Sequence, residues 1–403
     1  MHKVELLAEA LNLDSLKLNI ENGCDAVYIG DELKNFSIDE LKKSVEYAHN
    51  RNKKVYVSLN KIPHEDDINE IKKYIKSIIE TGIDAIVVIE PGMLTIVREV
   101  CENIDIHLSD QANVTNYETA TFWYNQGVKR VVVSKELSCE EIGQMRLKSP
   151  IKMEIEALAH GALFISHSGR KLLSNFLKGK NADEDKRINS KKYNLVEEKR
   201  PGKYFPVYED ERGTFLFNTE DLCMIEYIPE LIKCGITSLR IDGKMKDDEY
   251  VATAVKAYRK AIDAFYSDPN SWKFNPIWLE ELKKGSHRDY STGFFLNRPD
   301  ENSNNYQSAS YIRNYDFIGL VRGYEEETGL YIVEQRNKMY VGDKIEVIGP
   351  FKETMNATIL EMYNEDNEPI ESAPHARQTV KMKLDIDVEK DYMLRKPIKV
   401  INI

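Results

Sequence analysis

The 403-residue sequence holds five cysteines, Cys24, Cys101, Cys139, Cys223 and Cys234, and no two of them form a C-x-x-C pair. An odd, scattered set of this kind predicts reduced thiols rather than a disulfide framework, and its spacing matches no metal motif. Long apolar runs are missing as well: stretches such as residues 86–89 fall far short of the roughly 20 residues that span a bilayer. The opening Met1-His2-Lys3-Val4-Glu5 lacks the apolar stretch of a signal peptide. A cytoplasmic protein with no membrane partner is therefore expected. No G-x-G-x-x-G follows the first predicted strand, which leaves a dinucleotide-binding reading without a motif. No G-x-S-x-G elbow occurs, and Ser166 and Ser168 flank His167 only as chain neighbours, so little supports a serine nucleophile.

What is present is ordinary for a globular chain, with 42% hydrophobic and 31% charged residues, in a length that predicts two domains. The formal charge of −11 disfavours wholesale binding of nucleic acid or anionic membranes. Residues 170–203 run the other way, with eleven Lys or Arg against five Asp or Glu, a local +6 that leaves −17 for the rest. This stretch reads either as a solvated loop or as an anion-binding surface.

Eight β-rich runs, at 4–8, 26–30, 54–60, 85–90, 104–109, 130–134, 152–158 and 238–242, alternate with helical stretches. The helices are predicted at 14–22, 38–50, 65–81, 93–102, 117–125, 139–147 and 221–233, with a last barrel helix at 248–265. In the third, apolar residues at 68, 71, 75, 78 and 79 line one face at the helical period. Gly23, Gly82, Gly127 and Gly235 recur where a helix must stop and turn into a strand, a place that favours a left-handed glycine. The pattern predicts a (β/α)8 barrel over 1–305, with an open doubly wound sheet as runner-up. About 80 residues separate the seventh and eighth strands against the roughly 2 to 6 usual, which predicts an inserted segment at about 160–222. After Asn302-Ser303-Asn304-Asn305 the grammar becomes short strands and turns, at 318–322, 330–334, 344–347 and 379–383. A small antiparallel β-barrel is predicted over 310–403.

Barrel enzymes place their chemistry at the C-terminal ends of the strands. There this sequence offers Glu9, Asn60, Glu90, Ser109, Gln111, Asn113, Glu156, His160, Arg240, Asp242 and Lys244. Converging carboxylates and bases suit acid–base work or the holding of an anionic ligand. Glu156, His160, Arg240 and Asp242 are the candidate catalytic groups, with Asn60, Glu90, Gln111, Asn113 and Lys244 as candidate substrate contacts. Salt bridges that merely neutralise the barrel mouth, and a structural hydrogen-bonded His160, are the competing readings.

The segment from Glu156 through His160, Gly161, Phe164, Gly169 and Lys171 to Ser174 resembles the signature E-x-F-x-x-G-[SA]-[LIVM]-C-x4-G-x-C-x-[LIVM]-S of the collagenase-like peptidase family U32. Ser109-Asp110-Gln111-Ala112-Asn113, the run 238–246, Ser291-Thr292-Gly293-Phe294-Phe295 and Glu334-Gln335-Arg336-Asn337-Lys338 are similar to that family too. The resemblance implies the barrel and a [4Fe-4S] cluster on four cysteines. The two signature cysteines are Phe164 and Lys171 here, residues 181–193 hold none, and only Cys223 stands at an expected ligand position. One thiolate cannot hold such a cluster, so it is expected to be absent. Better-understood branches imply hydroxylation of RNA bases, on tRNA uridine, which gives three readings. The first is an RNA-modifying protein without its own cluster, contacting RNA or a small anionic substrate through 170–203 and the barrel mouth. The second is a collagenase-like peptidase, a hydrolase, and the third a non-catalytic scaffold or protein partner.

Overall fold

The computed structural model describes residues 3–30, 36–60, 62–168, 204–210, 213–243, 246–296, 311–350, 352–375 and 377–398, with 193–196, 198 and 202 between them. Seven parallel strands open the chain: β1 Glu5–Glu9, β2 Ala26–Ile29, β3 Lys54–Leu59, β4 Ala85–Val88, β5 Asp105–Leu108, β6 Arg130–Val132 and β7 Glu154–Ser168. Helices α1 Leu13–Glu21, α2 Ile38–His49, α3 Ile68–Ile79, α4 Pro91–Val100, α5 Tyr117–Asn125 and α6 Cys139–Lys148 alternate with them. Strands β8 Tyr193–Val196, β9 Tyr204–Asp210 and β10 Gly213–Cys223 follow, then α7 Ile228–Lys233, β11 Ser238–Ile241 and α8 Asp248–Ser267. β11 pairs in parallel with both β1 and β7, so the eight strands close into a barrel rather than an open sheet.

Local chemistry explains why these segments take these forms. Ile71, Ile75 and Ile78 of α3 are buried against the sheet, while Ile68 and Ile79 pack at its edge. Capping boxes, Asn12 with Ser15, Ser37 with Glu40 and Ser138 with Glu141, satisfy the first amides of α1, α2 and α6. The four recurring glycines all adopt positive φ, between 84° and 105°, as the helix-to-strand turn requires.

Two expectations are corrected. The seventh strand, expected to end at Leu158, is β7, which runs on beyond the barrel to Ser168 within the stretch expected as an insertion, and pairs antiparallel with β10. Its exit hinges on Gly161, at φ 133°, where a Cβ would stand 2.6 Å from the Asp242 carbonyl oxygen. The predicted helix at 221–233 begins later, because Asp221 to Cys223 are held in the β10 ladder opposite Ala162, Gly161 and His160. Most of residues 170–203 lies outside the described residues.

The remaining elements are α9 Pro276–Leu282, β12 Tyr290–Ser291, β13 Tyr315–Glu325, β14 Leu330–Gln335, β15 Met339–Tyr340, β16 Lys344–Ile348, β17 Met355–Tyr363, β18 Ser372–Ala373, β19 Thr379–Leu384 and β20 Met393–Pro397. Six of them close a second, antiparallel barrel in the order β13-β14-β19-β17-β16-β20. It docks on α1 and α8 through Leu18, Ala252, Leu320, Ile348 and Met393. At the seam Arg395 is fully buried and reaches Glu249 at 3.4 Å, Glu281 at 2.6 Å and Glu346 at 2.7 Å.

Glu249 carries a pH dependence. Burial, then the neighbouring Asp247, push its carboxyl up to about 7, against the pull of Arg395 and Thr253. The unfolded chain would release this proton near pH 4.5 and the folded chain only near 7, so Glu249 favours the fold in acid and costs stability as pH rises between those values. Glu249→Gln should therefore remove a fall of roughly 2 kcal/mol in unfolding free energy across that interval, measured by urea denaturation at a series of pH values. A variant whose pH profile follows the parent's would show that Arg395 keeps Glu249 ionised.

Candidate active site

The barrel interior is charged from floor to mouth. At the floor Arg130, the first residue of β6, is 3% exposed. Its guanidinium donates to Glu5 at 2.6 Å, to Glu154 at 2.6 and 2.8 Å, and to the Ser238 hydroxyl at 3.2 Å. The Tyr56 hydroxyl donates to the same Glu5 at 2.7 Å. Burial opposes ionisation of Glu5, but the charge of Arg130 and the hydrogen bonds hold its carboxyl below the ordinary value. One layer up, Glu156 lies between two guanidiniums, 3.3 Å from Arg130 and 3.4 Å from Arg240. Burial, with Glu5 nearby, nevertheless raises the Glu156 carboxyl.

Arg240 in turn faces the mouth. It lies 4.0 Å from Asp110, with its guanidinium 5.5 Å from the centre of the Tyr28 ring. Burial opposes its charge, while Asp110, Glu156 and Asp242 hold it firmly protonated. Its Nε finds no hydrogen-bond partner among the described residues. Asp110 pairs with Lys135 at 3.2 Å and accepts from the Ser109 hydroxyl at 3.1 Å. Despite burial, Lys135 and Arg240 hold the Asp110 carboxyl far below the usual range. The result is a ladder of alternating sign: Glu5 and Glu154, Arg130, Glu156, Arg240, Asp110, Lys135.

The structure brings several of the sequence candidates to this ladder. Asn60 donates to the Tyr28 hydroxyl at 3.4 Å, and Glu9 accepts the Gly243 amide at 3.0 Å. Gln111 and Asn113 lie on the turn after β5, where Ser109 caps Gln111 and Asn113 takes a left-handed φ of 53°. Glu90 caps α4 through the Gly92 and Met93 amides, so its carboxylate is already engaged with backbone. Lys244 lies outside the described residues.

His160 stands apart. The β7–β11 register runs Glu156 to Ser238 and Leu158 to Arg240, then jumps to His160 opposite Ile241. This bulge at Ala159 reverses the alternation, so His160 turns away from the inward-facing Arg240 and packs on α8. Its Nε2 lies 2.9 Å from the Tyr250 hydroxyl, and Tyr250, Tyr258 and Tyr290 surround its ring. Burial pushes its pKa down to about 3, leaving the imidazole neutral. The same region holds a buried Lys246–Asp221 pair at 2.9 Å and the Cys223 thiol, pushed up to about 12 by burial. Among the described residues no three His, Cys, Asp or Glu side chains stand together as metal ligands. Sequence reasoning missed Arg130, Asp110 and Lys135. Asp110 could have been found from its place inside the Ser109–Asn113 turn, whereas an inward Arg at the start of a strand leaves no local signature.

A parallel eight-stranded barrel whose charged axis opens among residues at the strand ends defines a (β/α)8 protein. Sequence comparison supplies the family. The profile of peptidase family U32 matches residues 11–305, that of the peptidase family U32 C-terminal domain matches 313–395, and the chain belongs to this family. It is 36% identical to tRNA hydroxylation protein P1 of Bacillus subtilis over 98% of this chain and 95% of that one. With tRNA hydroxylation protein P of Escherichia coli it shares 32% over 98% and 96%. A collagenase of Porphyromonas gingivalis is 25% identical over 86% of each chain. Among the described residues no helix is long and apolar enough to cross a membrane.

The ladder separates two roles by mutation. Arg130→Met strips the counter-charge from Glu5, Glu154 and Glu156 together, and a loss of about 3–5 kcal/mol in unfolding free energy is expected. Arg240→Ala leaves Glu156 still facing Arg130, so the barrel should stay folded while binding of RNA or a small anion weakens. Equal destabilisation by both, with RNA affinity unchanged in Arg240→Ala, would make Arg240 a purely structural residue.

Proposed function

We propose that this chain takes part in hydroxylation of tRNA, on uridine, with the barrel mouth as the substrate site. The observation that carries this reading is the full-length likeness to two proteins named for tRNA hydroxylation, which spans both domains. The mouth suits it chemically. Arg240 is held rigid from below by Glu156 and keeps donor capacity at Nε, which fits a carboxylate or phosphate better than a neutral peptide. This reading gives proton transfer to Glu156, with its raised carboxyl, and to Asp242, whose charge helps hold Arg240 protonated. His160, neutral and bonded to Tyr250, supports the α8 packing instead of acting at the mouth. The residues 170–203, with their surplus of lysine and arginine, would add contacts to the RNA backbone.

We further propose that the chain works without an iron–sulfur cluster of its own. Cys223 alone occupies an expected ligand position, and burial keeps its thiol protonated where a ligand must be a thiolate. The donor set does not fit the cluster. A peptidase reading has the collagenase relative in its favour, but among the described residues no serine or cysteine is hydrogen-bonded to His160, whose Nε2 is engaged by Tyr250.

Anaerobic reconstitution with iron and sulfide should leave the purified protein colourless and free of stoichiometric iron, and broad visible absorbance with about four irons per chain would refute cluster independence. For the activity, tRNA nucleosides from cells lacking the gene should lose hydroxylated uridine by mass spectrometry. Parent protein should restore it and Arg240→Ala should not. An unchanged nucleoside profile, together with cleavage of denatured collagen by the purified chain, would turn the assignment to peptidase.

A further inference from the structure

A cavity of about 240 Å³ opens between α8, α9 and the C-terminal barrel, with walls that include Lys256, Trp278, Ile348 and Asn356 and the carboxylates Glu281, Glu346 and Glu353. One of its linings is anomalous. Lys256, in the middle of α8, is only 8% exposed, and its ammonium group donates to the Gly349 carbonyl at 2.8 Å. No other hydrogen-bond acceptor and no carboxylate within ion-pair distance serves it among the described residues. The neighbouring charges are already spoken for: Lys260 pairs with Glu353 at 2.7 Å, Lys284 with Glu281 at 2.7 Å and Glu346 at 3.0 Å, and Arg395 with the same two glutamates. A buried ammonium with one neutral partner is costly unless a counter-charge reaches it. Burial, then the nearby Lys260, lower its pKa to about 8, although the charges of Glu281 and Glu353, beyond ion-pair distance, pull the other way.

The cavity supplies room for that anion. Trp278 and Ile348 offer apolar wall, and the side-chain amide of Asn356 offers a donor. We propose that this interdomain cavity binds a small organic anion, its carboxylate or phosphate on the Lys256 ammonium and its apolar part along Trp278 and Ile348. Because the walls come from both domains, the ligand binds only the docked pair and stabilises their union by linkage. The site is independent of the barrel mouth and of any RNA chemistry there.

Thermal unfolding of the full chain tests it with inorganic phosphate, benzoate, neutral benzamide, and sodium chloride matched in ionic strength. Benzoate or phosphate should raise Tm by roughly 2–4 °C, and benzamide and chloride should not. A response to benzoate assigns a carboxylate ligand, and one to phosphate alone a phosphorylated ligand. Lys256→Met, which keeps the packing and removes the charge, should abolish the shift, whereas Arg240→Ala should retain it. Lys256→Gln serves as a second charge-free variant should the Met variant fail to fold. The proposal is overturned if neither anion stabilises, if chloride does as well, if the shift survives loss of the Lys256 charge, or if it vanishes in Arg240→Ala.

Discussion

A carboxylate buried on the axis of a parallel barrel persists only with cationic charge close to it, and Glu156 has one arginine beneath it and another above. The rest of the interior follows from that constraint. Arg130 needs more than half of one carboxylate, so Glu5 and Glu154 close around it at the floor. Arg240 needs a second anion, so Asp110 stands at the rim, and Asp110 in turn draws Lys135. Each charge is fixed by the one before it, and the mouth inherits an order imposed from below. A guanidinium set this way is pre-organised, because its orientation is settled before any ligand arrives.

Much of the architecture was legible because it depends on short-range patterns. The apolar spacing of α3 and the glycines that end the helices are local signals, and the eight strands fall within a few residues of where the pattern puts them, apart from the far end of β7. The second barrel announced itself through a change from alternating to turn-rich grammar. The site was legible only in part, because which way a strand residue points depends on register. Counting by twos from Glu156 carries His160 into the mouth, and the single extra residue at Ala159 carries it out. Nothing in the sequence marks that bulge except the demand at Gly161, whose backbone must pass the Asp242 carbonyl too closely for any side chain. Asp110 and Lys135 were hidden for another reason: they lie in loops after β5 and β6, and their meeting with Arg240 is a property of the closed barrel.

The bulge also divides labour between two buried clusters that share one strand. On the inward side of β7, ions are paired with ions. On the outward side, His160, Cys223 and three tyrosines fill the space between β10 and α8, beside the Lys246–Asp221 pair and the buried Arg288. The Tyr258 hydroxyl ties the cluster to the barrel by donating to the Ala159 carbonyl at 2.8 Å, at the bulged residue itself. Cys223 sits in this setting as a small apolar group whose thiolate is disfavoured, a role that free cysteines fill well.

The same rule of compensation joins the two domains. Arg395 gathers Glu249, Glu281 and Glu346 at the seam, as Arg130 gathers Glu5, Glu154 and Glu156 at the barrel floor. In both places three carboxylates surround one guanidinium, and in both the surplus negative charge is met elsewhere, by Arg240 for Glu156 and by Lys284 for Glu281 and Glu346. Glu249 meets it differently, by holding its proton up to about pH 7. With Glu249 neutral, the four cations at the seam, Lys256, Lys260, Lys284 and Arg395, face three anions, Glu281, Glu346 and Glu353. The surplus is then positive, and among the described residues Lys256 is the cation of the four whose ammonium is hydrogen-bonded to a carbonyl rather than ion-paired with a carboxylate. An interior that pairs its charges so consistently elsewhere makes that residue's place beside an open cavity a matter of chemistry rather than of packing.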